Sequence, residues 1–303
     1  MKSALITSRD PKGQQATNLF EAAYNKAKLD EAKAGLLNVK DGEFQAGIIK
    51  LINELTMSNQ YANEEVISSY TYPPEYKGPK PIKDQIMAIA KLCDLDPTQA
   101  LACADNLPQL DTFVSADALP WTGWFAVPSP QAIAAKQFPD ITDSTEWYAK
   151  AVQLILDMIE KSRPFTNCRK GAIDKAHLRV HTRTVEAMAK LAEQQPGDIW
   201  IIAAQLGRHH RGRSPRRARE CFADNEYGLT SLMAGSIILT HPERLVRFSE
   251  LDMDCPGDEF APVGDGVSSR APVFGFCGWA EFDAFTVGSY NVDYGSASGF
   301  LPQ

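Results

Sequence analysis

The 303 residues predict an α+β protein. Its amino-terminal and middle regions are expected to be mainly helical, followed by a smaller mixed, partly β region at the carboxy end. Three observations carry that expectation. Apolar residues recur at helical spacing up to about residue 195. Past that point the texture shifts to short β-branched and aromatic runs separated by Gly and Asp. Apolar runs such as IWIIAA and LMAGSIIL fall well short of the roughly 20 residues that a membrane span needs.

In chain order, residues 1–66 read as a helical region. Phe20, Ala23, Tyr24 and Ala27 share one helical face, and Phe44, Ile48, Leu51, Ile52 and Leu55 share another. SSYTYPPEYKGPKPI, with four prolines and three tyrosines, marks residues 67–84 as a stiff, extended linker. Helical spacing resumes from 85 to 195. Ile82, Ile86, Ile89 and Cys93 lead into it, and Asp96-Pro97 opens a further short helix. PWTGWFAVPSP reads as a packed loop. ITDSTEWYAKAVQLILDMIEKS reads as a helix with its cap in the Thr/Ser/Asp cluster.

Residues 174–194 are expected to form a basic helix. At 100° per residue, Leu178, His181, Val185, Met188 and Ala192 fall in one arc of about 80°. Lys175, Arg179, Arg183 and Lys190 fall in a second arc about 140° away. The region 196–303 begins with IWIIAAQL as a buried strand. The loop GRHHRGR follows, and Ser214-Pro215 start a helix. APVFGFCGWAEFDAF reads as a hairpin turning at Cys277-Gly278, and YGSASGFLPQ as a small-residue tail, flexible unless docked.

Charge is distributed unevenly. Residues 1–160 carry 14 basic and 21 acidic side chains, residues 161–219 carry 14 and 4, and residues 220–303 carry 3 and 13. The net of -7 therefore conceals a strongly basic central block. Its densest part supplies Arg208, His209, His210, Arg211, Arg213, Ser214, Arg216, Arg217 and Arg219. Guanidinium forks suit phosphate oxygens, and a helix start at Ser214 adds free N–H groups and the positive end of a dipole. With Lys175, Arg179, Arg183 and Lys190, these residues form the expected nucleic-acid (phosphate-backbone) interface of a non-catalytic protein.

The alternative is a structural or interaction protein whose basic block pairs with an acidic surface. That surface is either a partner's or its own Asp252, Asp254, Asp258, Glu259 and Asp265. A metal- or nucleotide-dependent enzyme ranks third. Gly207 to Ser214 approaches GxxxxGK[ST] but has Arg213 for lysine and Pro215 at the helix start. His177 and His181 are four apart but lack a partnering glutamate. LDMDCPGDEFAPVGDG fails the calcium-loop pattern at positions 5 and 12. The six scattered cysteines contain no CxxC pair and are expected to be reduced. No cofactor, metal or membrane partner is expected. MKSALITSRDPKGQQ has no apolar run behind its lysine, so a cytoplasmic location is expected.

Overall fold

The computed structural model describes residues 7–56, 59–248 and 250–302. The chain divides into two compact units, Met1–Met57 and Ser58–Gln303. The first contains α1 (Pro11–Lys26), α2 (Glu31–Val39) and α3 (Asp41–Thr56). Proline at the first position opens α1, and the Asp30 carboxylate caps α2 by accepting from the Lys33 N–H. Phe20 and Phe44 meet with ring centroids 6.3 Å apart, joining α1 to α3. The helical expectation for residues 1–66 holds as far as Thr56, whereas residues 59–66 form turns and an isolated bridge from Glu65 to Arg213.

The second unit contains α4 (Ile82–Cys93), α5 (Thr98–Ala104), β1 (Thr122–Pro128), α6 (Pro130–Gln137), α7 (Ser144–Ser162), β2 (Phe165–Asn167) and β3 (Leu178–Val180). These are followed by α8 (Thr182–Gln194), β4 (Ile199–Arg211), α9 (Pro215–Cys221), β5 (Glu226–Gly228) and α10 (Ser231–Thr240). Then come β6 (Asp252–Asp254), β7 (Asp258–Phe260), β8 (Arg270–Phe276), β9 (Ala280–Thr286) and β10 (Tyr294–Phe300). One mixed sheet runs β1-β4-β10-β6-β8-β7-β3, with β5 also on β10, β9 on β8 and β2 on β9. An α+β class is therefore what the chain adopts.

Local chemistry explains most of these elements. Asp143 caps α7 by accepting from the N–H groups of Thr145 and Glu146, and Ala151, Ile155 and Ile159 form part of its buried side. α10 has no charged residue and is buried on nearly every side. Thr230 caps it, and Ile155 of α7 packs directly on its Gly235.

Several expectations need correction. PWTGWF is not a loop: β1 pairs antiparallel with β4, Thr122 opposite Gln205 through Pro128 opposite Ile199. The helix expected over 174–194 begins at Thr182, because Leu178–Val180 is strand β3, paired with β7. Strand β4 does not end at IWIIAAQL but continues through Arg211, so GRHHR is strand rather than loop. The tail YGSASGF is β10, held between β4 and β6. Its small residues permit that place. A Cβ on Gly299 would lie 2.5 Å from the Tyr227 ring, and one on Gly295 would lie 2.4 Å from the Gly207 carbonyl oxygen. Gly207 itself has φ +111, which only glycine adopts without strain. Here the β4–β10 register slips between Ser296 and Ser298, forming a bulge that redirects Arg208 and His209.

The Pro/Tyr segment belongs to the second unit rather than standing apart as a linker. The Tyr72 hydroxyl accepts from the Leu206 N–H at 3.0 Å, and Tyr76 packs edge-on against Tyr72 and His241. His241 is fully buried, and its Nε2 accepts from the Lys80 N–H at 2.9 Å. Burial pushes its pKa down to about 4. A depressed histidine pKa means the unfolded chain binds the proton first, so stability is lost as pH falls from about 6.5 towards 4. This one ring is expected to contribute about 3 kcal/mol to that loss, at roughly 1.4 kcal/mol per pH unit. Histidine ring resonances followed by NMR should show no titration of His241 above about pH 5; a midpoint near 6.5 would contradict the geometry.

Candidate phosphate-binding cleft

The arginine block divides into residues with internal partners and residues facing a cleft. Arg216 grips Glu64 with Nε at 2.7 Å and a second, shorter contact from Nη2. Its guanidinium also lies over the Tyr61 ring, 4.4 Å from the centroid. Arg217 donates to Glu65 at 3.2 Å and to Glu220 at 2.8 Å. Arg213 shares Glu65 at 3.1 Å. Arg219 donates to the carbonyls of Pro256 and Asp258. The countercharge of Arg213, Arg216 and Arg217 is thus Glu64, Glu65 and Glu220; of the acidic residues named from sequence, Glu259 pairs with Arg179.

Ser214 caps α9 as expected, accepting from the Arg217 N–H at 3.1 Å. Its hydroxyl, however, donates to Glu64 at 2.7 Å. A carboxylate of the chain therefore already occupies the helix start that was expected to hold phosphate. The same contacts remove the nucleotide-loop reading. Residues 207–211 are extended, Gly212 N–H donates to the Tyr294 carbonyl, and the Ser214 hydroxyl is taken.

The second basic group disperses. Lys175 pairs with Asp143 and Glu146, and Arg179 pairs with Glu259. Arg183 donates to the carbonyls of Glu226 and Ala223. Lys190 lines a separate surface depression with Glu186 and Asp224. With Lys175 and Arg179 outside α8, these residues do not form one ridge. His177 pairs with Asp174 and His181 stands at the start of α8, so they do not share a helix either.

Arg208 and Arg211 remain. Among the described residues neither has a carboxylate partner. Arg208 stacks its guanidinium 3.6 Å from the centroid of Trp121 and donates to the Thr71 hydroxyl, while its buried Nε lacks a partner. Arg211 donates to the Tyr70 carbonyl at 3.1 Å. Burial and the neighbouring Arg211 both depress the Arg208 pKa. Both arginines line a cleft of about 550 Å³ with His209, Arg213, Trp121 and Ile67. β1 leaves the β4 edge at Gln205, and the segment around Glu65 rejoins it at Arg213, so the cleft occupies a break in the β-ladder. Its carboxylates are Asp117 and Glu65, the latter held by Arg213 and Arg217.

Behind the cleft lies a buried polar network that the sequence did not reveal. His210 Nε2 is 2.7 Å from Glu226, which also accepts from the Ser298 hydroxyl and, at 3.1 Å, from the Ala223 N–H. Gln205 ties β4 to β10 by donating to Ser298 and to the Ser296 carbonyl. Burial opposes the Glu226 charge, but His210 and the Ser298 hydrogen bond outweigh it and hold the carboxyl below its ordinary pKa.

His209, His210 and Glu226 offer ligand atoms within 4.8 Å of one another, a spacing that invites a metal. The hydrogen bonds argue otherwise. Arg213 Nη1 donates to His210 Nδ1 at 2.9 Å, which leaves the ring proton on Nε2, facing Glu226. A metal would need that Nε2 lone pair, with Nδ1 donating outward. The cationic donor at Nδ1 prevents this arrangement.

The acidic stretch is not one continuous loop but contains strands β6 and β7. Asp252 and Asp254 lie on β6; burial and the neighbouring Asp293 raise Asp252 to about 7, and burial with Asp252 and Asp293 raises Asp254 well above its ordinary value. No helix among the described residues is long and apolar enough to cross a membrane. No family model, curated protein or solved structure matches the chain.

Proposed function

We propose that this protein binds the phosphate groups of a nucleic acid in the cleft beside β4, through Arg208 and Arg211 rather than through the whole arginine block. The observation that supports this reading is the contrast within the block. Arg213, Arg216 and Arg217 are neutralised by carboxylates, and Arg219 is engaged by backbone carbonyls. Arg208 and Arg211 form no ion pair among the described residues and line a cleft with Asp117 and with Glu65, which Arg213 and Arg217 hold. Arginine without an anion in a partly desolvated cleft favours an incoming phosphate. Trp121 orients Arg208, and the fully exposed Ile67 supplies an apolar lip against which a base can lie. Arg213, Arg216 and Arg217 brace the segment 59–65 against α9.

Salt dependence tests this division. Two phosphate contacts to a single strand give a slope of roughly −1.4 in log affinity against log salt, so affinity should fall about sevenfold between about 50 and 200 mM salt. Six contacts would give a fall of roughly three-hundredfold. Fluorescence anisotropy with single-stranded RNA and DNA measures the slope directly. The shallow slope is the expected result. No binding at about 50 mM salt would overturn the proposal, and the steep slope would place the grip elsewhere.

A further inference from the structure

We infer that Asp252, Asp254 and Asp293, together with the Ser296 hydroxyl, bind a hard divalent cation between β6 and β10. None of these residues lines the arginine cleft, so the inference does not rest on the phosphate-binding reading.

The strands bring these side chains together. β6 and β10 run parallel, with Tyr294 beside Asp252 and Ser296 beside Asp254. Residues two apart on a strand share a face, so Asp252, Asp254, Tyr294 and Ser296 project from one side of the sheet. Asp293 precedes Tyr294, and its carbonyl accepts from the Asp252 N–H at 2.7 Å. Its charge acts on both Asp252 and Asp254. On the neighbouring β8, Gly275 leaves room for the Asp252 carboxylate. A Cβ there would lie 3.0 Å from Asp252 Oδ2.

The oxygens gathered here lack partners. Among the described residues, none of the three carboxylates joins an ion pair. Their side chains accept a single hydrogen bond, from the Phe276 N–H to Asp252 at 3.3 Å. Asp254 is 2% exposed, and its Oδ2 is buried without a partner, as is Oδ1 of Asp293. Ser296 is fully buried, and its Oγ is unpartnered as well. Asp254 and Ser296 thus sit side by side on adjacent strands without bonding each other. Buried acceptors left unmade in this way are costly, and a shared ligand satisfies them together.

The cationic side chains nearby are engaged elsewhere. Arg219, beside Asp254, donates to the carbonyls of Pro256 and Asp258. Arg244, beside Asp252, donates to the Leu206 carbonyl and lies over the Tyr72 ring. Glu281 adds a further carboxylate near Asp252, accepting from the Cys277 thiol. Carboxylates therefore outnumber guanidinium groups around the site. All the donors offered are oxygens, the ligand type that suits Mg²⁺, Mn²⁺ and Ca²⁺. Such an ion need not touch all three carboxylates, since one or two with retained waters suffice for Mg²⁺. Asp252 and Asp293 are only half-buried and give the ion a way in.

Isothermal titration calorimetry tests the site on the full chain, stripped with EDTA and dialysed, using MgCl₂, MnCl₂ and CaCl₂ in turn. At least one of the three should bind saturably, one ion per chain, with Kd below about 1 mM. At a hundredfold excess over Kd that ion should raise Tm by about 5 °C. D254N and D293N should each weaken binding about tenfold or more, whereas D265N, an exposed acid of the same stretch, should leave it unchanged. Without metal, D254N should melt no lower than wild type, because it removes a repelling carboxylate. Should D254N fail to fold, D293N at its half-buried position carries the test.

No saturable binding of any of the three ions to the wild type would overturn the inference. So would an affinity unchanged in D293N and D254N, which would place the ion elsewhere. An equal rise in Tm with NaCl of matched ionic strength would reduce the effect to screening and overturn it too.

Discussion

His210→Ala is expected to be the most damaging single change in the second unit, lowering its stability by about 4 kcal/mol, because it strands a buried carboxylate. Glu226 is only 2% exposed. Without His210 it keeps the Ser298 hydroxyl and the Ala223 N–H, but loses the closest donor on the β4 side. Arg213 loses its imidazole acceptor as well. For a body of this size the change corresponds to a drop in Tm on the order of 10 °C.

The effect should depend on pH in a defined direction. In the wild type, Glu226 has a depressed pKa, so its contribution is present above about 4.5 and is lost as pH falls through the folded value. In the variant, burial without the imidazole raises the Glu226 pKa, so stability is lost as pH rises instead. The difference between wild type and variant should therefore be larger at pH 7.5 than at pH 4.5 by urea denaturation. A difference that is equal at the two pH values would show that the network does not hold an ionised Glu226.

A second pair of substitutions should separate bracing from binding within one arginine block. Arg217→Ala removes a side chain that is 7% exposed and that ties Glu65 to Glu220. A loss of about 3 kcal/mol is expected, discounted from the full cost of breaking a buried pair because Glu220 keeps donors from Gln60 and Tyr61. Nucleic-acid affinity of the folded variant should stay within about twofold of wild type, since Arg213 still holds Glu65 at the cleft. Arg211→Gln should do the reverse. It touches one backbone carbonyl, so stability should change by less than about 0.5 kcal/mol, while affinity falls about tenfold with the loss of a charged phosphate contact. Thermal melts and anisotropy on both variants decide the matter. If Arg211→Gln leaves affinity unchanged, the cleft is not the phosphate site.

The sequence already contained the mixed class, α4, α7, the buried strand start at Ile199 and the hairpin at Cys277-Gly278, because each is specified by local spacing, caps or turn residues. Ser214 as a helix cap was legible for the same reason. The chain also disclosed that its basic charge is concentrated in 161–219. It did not disclose that β10, a run of Gly, Ser and Ala, lies between β4 and β6, since small residues carry no strand signal and are chosen by the closeness of their neighbours. Nor did it disclose which arginines are neutralised. Glu64 and Glu65 lie about 150 positions from Arg213, Arg216 and Arg217, and ion pairs at that separation leave no periodicity to read. Local composition determined that a basic block exists. Only long-range pairing decided that most of it is brace and that Arg208 and Arg211 face an open cleft, because a charge's free energy depends on what the fold places within a few ångströms of it.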